Sequence, residues 1–252
     1  MLNYYNRLST EIYAFDKPIG HSFGDVEYYS HRLSNIDGKI LEPAVGTGRI
    51  LIPLLEKGLN VEGFDISSEM LEVCQRNCED RQLSTHLFKA TMESFRLDEQ
   101  YAAIIIPTGT FLLLEKREDS LNALKNFHQH LTPGGRLIVD IFIPKKFPVG
   151  QVFTRTWELP AGEVVTLEEK LTDVDFLNQV TVSHNRYEKW RNGTLIQTEL
   201  ERFPLRWYGV EEFRLILEAL GFEDIVVSSN YEYSKEPGSD TETLTFEAKR
   251  KK

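Results

Sequence analysis

The sequence predicts a doubly wound α/β fold: a mostly parallel sheet of seven strands between helices, interrupted by an antiparallel β insertion before the last helix and strands. Three observations carry this. Apolar runs alternate with helical patterns from residue 39 to about 143, as βαβ units require. From about Pro144 to Trp207 the apolar period changes to two, which is the period of a half-buried strand. The chain then returns to one helical pattern and two more apolar runs.

Taken in order, strands are expected at residues 39–42, 60–64, 85–88, 102–106 and 135–142. The second helix opens at Ser67, a good N-cap, and turns Met70, Val73, Cys74 and Cys78 inward;. Another covers residues 116–131, with Leu121, Leu124, Phe127 and Leu131 on one stripe, and Pro133-Gly134-Gly135 closes it;. In the insertion, Val165, Leu167 and Leu171, then Val180 and Val182, alternate with polar residues, while Pro160-Ala-Gly and Asn192-Gly193 mark turns;. Three or four strands are expected there. A helix at 210–220 buries Phe213, Ile216, Leu217 and Leu220, and residues 223–228 and 241–248 form a closing hairpin. The division is therefore a core of residues 1–143 and 208–252 with an insertion at 144–207, the latter expected to wall a ligand site or to form a dimer interface.

With 252 residues, 41% of them hydrophobic and 27% charged, the chain has the composition of one globular domain. No apolar run approaches the ~18 residues of a membrane span, and the first eleven residues lack the features of a secretory signal, so a cytoplasmic protein is expected. The net charge of −10 argues against a nucleic-acid partner; the basic run 249–252 reads as a solubilising terminus. Cys74 and Cys78, the two cysteines, lie one turn apart, too few for a closed zinc site and read as packed thiols, and no metal is expected.

The residues that carry chemistry begin at Ile40-Leu41-Glu42-Pro43-Ala44-Val45-Gly46-Thr47-Gly48-Arg49, a strand running into a glycine-rich turn and a helix. Gly46 and Gly48 permit torsions and close approach that a side chain would block, at the strand ends where open α/β sheets bind ligands. Glu42 can accept from an ammonium or an amide. Asp65 ends the neighbouring strand nineteen residues after Gly46, where a carboxylate can accept from both ribose hydroxyls. Together these imply an adenosine-type cofactor. A dinucleotide fingerprint would need a third glycine three residues after Gly48; Leu51 stands there, which argues against a nicotinamide oxidoreductase.

The Glu42-x-Ala44-x-Gly46-x-Gly48 run resembles the first motif of class I S-adenosylmethionine-dependent methyltransferases, and Gly63-Phe64-Asp65-Ile66-Ser67 through Leu71 resembles the second. The likeness extends from Tyr13 to the closing hairpin and is nearest the small-molecule branch, similar to bacterial amino-sugar N-methyltransferases. It implies a Rossmann-like fold and S-adenosyl-L-methionine as cofactor. Glu42, Ala44, Gly46 and Gly48 would surround the methionine, Asp65 would hold the ribose, and Ile66 and Met70 would flank the adenine. The third motif maps on Ala90-Thr91-Met92-Glu93, with Met92 at the adenine and Thr91 where the family usually has an acid, so that Glu93 or the Thr91 hydroxyl substitutes. Pro107 would lie beside the reactive methyl, and Tyr13 over the pocket. No motif of an amide, adenine-amino or cytosine C5 methyltransferase follows Ile106. The expected activity is methylation of a small-molecule acceptor; an RNA or protein methyltransferase and a non-catalytic cofactor-binding module are the alternatives. His21, His184 and Tyr208 are candidate bases with bland readings as surface or packed side chains, and none is assigned as catalytic.

Overall fold

The computed structural model describes residues 5–251; the first four residues, where the absence of a secretory signal was read, and Lys252 lie outside them. Helices α1 (Arg7–Asp16) and α2 (Asp25–Leu33) come first. They lead into β1 (Ile40–Pro43), α3 (Leu51–Glu56), β2 (Val61–Asp65), α4 (Ser68–Glu79), β3 (Leu87–Lys89), β4 (Tyr101–Ile106), α5 (Arg117–His130) and β5 (Leu131–Phe142). The antiparallel strands β6 (Val152–Leu159), β7 (Glu163–Asp175), β8 (Val180–Arg191) and β9 (Thr194–Arg206) follow, then α6 (Val210–Ala219), β10 (Phe222–Ser229) and β11 (Thr243–Arg250).

The main sheet runs β10-β11-β5-β4-β1-β2-β3. Strands β1 to β5 are parallel, and β11 is antiparallel to β5. Ile104, Ile105 and Ile106 are fully buried on both faces of the central strand β4, which is why this segment reads as an unbroken apolar run. The order reverses between β1 and β4, so the loops after these strands part there and open a crevice. Strand β5 begins at Leu131, ahead of the expected glycine stop, with a register shift against β4 between Tyr101 and Ala103. The basic run near the C-terminus is also no loose tail. Lys249 and Arg250 belong to β11; Lys249 Nζ meets Asp224 Oδ2 at 2.9 Å, and Arg250 donates to the Leu131 carbonyl.

The insertion forms a separate four-stranded sheet, β6-β7-β8-β9. One face grips α1. Ile12 packs among Trp157, Leu159, Val165 and Leu167, and Asp16 accepts from Arg155 Nη2 and Trp157 Nε1, each at 3.0 Å. Glu199 accepts from the Leu8 amide at 2.8 Å and Glu201 from the Asn6 amide at 3.1 Å, so two carboxylates meet the positive end of the helix. The other edge is tied to the core through Arg206, whose guanidinium donates to the Glu115 carbonyl at 2.8 and 3.0 Å. The polar residues expected on the mixed face, His184 and Arg186, point away from α1 into solvent, with Arg186 paired to Glu168 and Glu188. Ser183, Asn185, Glu199 and Glu201 occupy the face toward α1 instead.

Candidate cofactor site at the sheet reversal

The turn after β1 is shaped by three residues in left-handed backbone: Ala44 at φ 55°, Gly46 at 57° and Gly48 at 85°. Their bare or small α-carbons serve different ends. A Cβ on Gly48 would lie 2.8 Å from Cys74 Sγ and 3.0 Å from Ile52 Cδ1, whereas one on Gly46 would meet nothing nearer than Met70 Sδ at 4.0 Å. Gly48 therefore lets α3 and α4 pack, and Gly46 keeps open the space above the turn.

Asp65 closes the turn from the next strand. Its Oδ2 accepts from the Gly46 amide at 2.9 Å and its Oδ1 from the Ser67 amide at 2.9 Å. Burial raises its pKa, and these amides oppose the rise;. Ser67 caps α4 by accepting from the Met70 amide at 3.1 Å, while Ile66 beside it is 54% exposed. The third-motif segment is drawn to the same place, since the Ala90 amide donates to the Asp65 carbonyl at 3.1 Å. Met92 is buried there, with its carbonyl held by Asn126 Nδ2, and the Thr91 hydroxyl is engaged by Ser94 at 2.7 Å. Glu93 is half-buried in the same segment, and Pro107 is buried at the end of β4, the strand beside β1.

Beside the turn lies a cluster of buried charged side chains. Glu42 is 3% exposed and its Oε2 has no partner. Burial pushes its pKa well up, Arg49 opposes this, and Asp25 and Asp65 add to it. Arg49 and Asp25 form a buried ion pair in which Arg49 Nη1 lies 3.1 Å from Asp25 Oδ1, and the same nitrogen donates to the His21 carbonyl at 2.9 Å. Burial also raises the Tyr13 phenol, which faces Arg49.

Tyr13, Glu42, Ala44, Gly46, Gly48 and Asp65 thus converge on one turn, and Ile66, Met70 and residues 91–93 follow from Asp65 on its far side. Of the candidate bases, Tyr208 and His184 do not join them, whereas His21 reaches the turn through its carbonyl on Arg49. Tyr208 is core packing against Phe111 and Phe213, His184 is exposed on the outer face, and the His21 ring stacks edge-on against Phe23. Sequence reasoning quoted Arg49 without a role and passed over Lys17, Asp140 and Tyr231. For Asp140 a signal existed: it is a lone acid inside the apolar run 137–143.

Residues 40–135 match the family described as a methyltransferase domain. The chain is 28% identical over 222 residues, 85% of each protein, to YqeM of Bacillus subtilis (strain 168), itself a methyltransferase by assignment only. The fold is that of an S-adenosylmethionine-dependent methyltransferase from Clostridium acetobutylicum, at TM-score 0.78 and 19% identity over 99% of this chain and 100% of that one. The chain carries a methyltransferase domain in the fold of the S-adenosylmethionine-dependent methyltransferases. Within that class it is similar to a Streptomyces venezuelae dTDP-3-amino-3,4,6-trideoxy-α-D-glucopyranose N,N-dimethyltransferase, 27% identical over 45% of this chain and 46% of that protein. A sugar N-methyltransferase from Streptoalloteichus sp. shares the fold at TM-score 0.76 and 18% identity, covering 98% of this methyltransferase and 94% of that one. Among the described residues no helix is long and apolar enough to cross a membrane, and no cluster of side chains could hold a metal ion.

Proposed function

We propose that this methyltransferase acts on a small-molecule acceptor, with the cofactor's methionine end at the Glu42–Arg49 cluster, its ribose hydroxyls on Asp65, and its adenine between Ile66, Met70 and residues 91–93. The observation that carries the reading is the buried Glu42 Oε2 without a protein partner beside the open α-carbon of Gly46. A buried carboxylate oxygen left unpaired is costly, and an ammonium group is the partner it lacks. The residues present fit the cofactor: Glu42 for the amino group, Arg49 and Tyr13 for the carboxylate, Asp65 for the ribose, and Pro107 at the end that faces the acceptor.

Bound there, the sulfonium supplies an activated methyl group for in-line displacement, an acceptor lone pair forming the new bond as the carbon–sulfur bond breaks and its electron pair stays on sulfur. The protein's own task is to align and enclose. Alignment alone is worth up to ~7 to 11 kcal/mol, so the lack of an assigned base at the turn is no obstacle. The relatives whose names specify amino-sugar and glycine/sarcosine N-methylation support a small acceptor. Calorimetry with S-adenosylhomocysteine tests the cofactor site. Asp65→Ala is expected to weaken binding by about 1.5–3 kcal/mol, the worth of a charged hydrogen bond; unchanged affinity, or tight binding of NAD by the wild type, refutes the reading.

A further inference from the structure

A cavity of about 490 Å³, a size suited to a small ligand, opens where the turn after β4 meets the β10–β11 connection and the segment between α1 and α2. Lys17, Phe23, Thr108, Phe142, Tyr231 and Glu242 are among its lining residues. Two of them carry chemistry that nothing in the protein uses.

The first is Lys17. It is half-buried, and its Nζ lies 4.8 Å from the Tyr13 ring centre and 5.9 Å from that of Phe23. The acids nearest to it are spoken for: Asp16 is held by Arg155 and Trp157, and Asp25 by Arg49. No carboxylate among the described residues forms an ion pair with it, in a chain whose net charge is −10. A desolvated cation held only against ring faces is matched by an anion brought from outside.

The second is Tyr231. Asn230 and Tyr231 are consecutive non-glycine residues in left-handed backbone, at φ 50° and 60°, a conformation that costs roughly 1–2 kcal/mol each. Asn230 Oδ1 secures the turn by accepting from the Glu242 and Thr243 amides at 2.8 and 3.1 Å. The result is that the Tyr231 hydroxyl donates to Asp140 Oδ2 at 2.9 Å. Its single proton is thereby committed, so toward the cavity the phenol oxygen can only accept. The same Asp140 Oδ2 accepts from the Thr108 amide at 2.8 Å, and Oδ1 accepts from the Thr245 hydroxyl at 2.7 Å. Thr108 is also left-handed, at φ 55°. One fully buried carboxylate therefore fixes two strained walls of the cavity.

We infer that this cavity receives the methyl acceptor, that the acceptor is an amine which also carries an anionic group, and that Asp140 is the positioning residue for both walls. The amine N–H donates to the Tyr231 oxygen and the anion meets Lys17, with Phe23 and Phe142 offering apolar faces between them. The inference rests on the methyltransferase reading above. Its test uses the protein loaded with S-adenosylhomocysteine and measures binding by calorimetry, so that turnover is not the only readout. Glycine, 4-(aminomethyl)benzoate and glucosamine 6-phosphate are each compared with a twin lacking the negative charge: glycinamide, 4-(aminomethyl)benzamide and glucosamine. 4-Methylbenzoate is the twin lacking the amine. At least one charged amine is expected to bind tenfold or more tighter than its twins and to yield S-adenosylhomocysteine when S-adenosylmethionine replaces the product. Lys17→Met should abolish the preference for charge and Tyr231→Phe the preference for the amine, with S-adenosylhomocysteine affinity unchanged in both. Equal binding of the twins, binding of none of the charged amines, or a tenfold loss of S-adenosylhomocysteine affinity in Lys17→Met overturns the inference and leaves the cofactor reading standing. Failure of the wild type to bind S-adenosylhomocysteine is the separate result that removes the reading beneath it.

Discussion

Gly48→Ala separates the packing role of the glycine-rich turn from its ligand role. The new methyl would sit 2.8 Å from Cys74 Sγ and 3.0 Å from Ile52 Cδ1, well inside the 3.5–4.0 Å at which carbon atoms rest in contact. Overpacking of this kind costs about 1–3 kcal/mol, and holding an alanine at φ 85° about 1–2 kcal/mol more. The smaller conformational freedom of the unfolded alanine chain offsets about 0.4–1 kcal/mol. The net destabilisation is therefore about 1–5 kcal/mol, read by urea unfolding. Removing the facing sulfur should relieve part of it: in a cycle with Cys74→Ala, the double variant is expected to be about 1–2 kcal/mol more stable than the sum of the single losses predicts. Gly46→Ala gives the opposite pattern, because a methyl there meets no protein atom nearer than 4.0 Å. It should lose only the backbone part of the stability, about 1–2 kcal/mol, while its affinity for S-adenosylhomocysteine drops at least tenfold. Additivity of Gly48→Ala and Cys74→Ala within about 0.5 kcal/mol, or an unaltered cofactor affinity in Gly46→Ala, would refute this division of labour.

Three further outcomes are expected. Glu42 has a folded pKa raised by burial, so its contribution to stability is present below the unfolded value and is lost as pH rises through the folded one. Glu42→Gln should accordingly stabilise the ligand-free protein at pH 7 to 8 while weakening S-adenosylhomocysteine binding by about 1.5–3 kcal/mol; melting curves and calorimetry check the two signs. Asp140, raised by burial to about 6 from 3.8, follows the same sign, so the wild type should lose about 2–2.5 kcal/mol relative to Asp140→Asn between pH 4 and pH 7. A difference in unfolding free energy that stays flat with pH contradicts it. Ala44→Gly relieves a left-handed alanine and should leave stability unchanged or raise it by up to about 1 kcal/mol in urea; a clear loss would mean that the Ala44 methyl is needed for packing.

The sheet was legible wherever period and punctuation agreed. Ile104 to Ile106 lie in a strand buried on both faces, and Ser67 caps its helix as the serine-before-stripe pattern implies. The insertion's strands were legible too, but not which face would turn inward. A period of two assigns His184 and Arg186 to the same side of β8 as Val180 and Val182; the two valines are buried there, while His184 and Arg186, on the side away from α1, face solvent. In the site, Glu42, Gly46 and Asp65 stand on consecutive elements of a recognisable order. Gly48 shows the limit of that reasoning, because a motif cannot tell a glycine emptied for a ligand from one emptied for Cys74. Asp140 and Tyr231 meet across 91 residues, and the meeting depends on two left-handed residues in a loop without a pattern. Long-range pairing of that kind has no local signal.

The balance of charge around the crevice ties these parts together. Asp25 and Arg49 neutralise one another at hydrogen-bond distance, which leaves Glu42 and Asp65 on the side of the glycine-rich turn and Lys17 on the side of the cavity. Burial of both carboxylates is unfavourable as long as they face only protein. On the proposed placement, a cofactor whose amino and sulfonium groups are cationic would relieve Glu42 and its ribose hydroxyls would donate to Asp65, so binding should raise stability most where the carboxylates are ionised. The cation left over is Lys17, whose pKa is lowered by burial and then by Arg49. An anion brought to it by the acceptor would oppose that lowering. On the proposed placement the cofactor side would present two carboxylates, Glu42 and Asp65, and the cavity the cation Lys17 together with Glu242, so that each ligand would meet a different arrangement of charge.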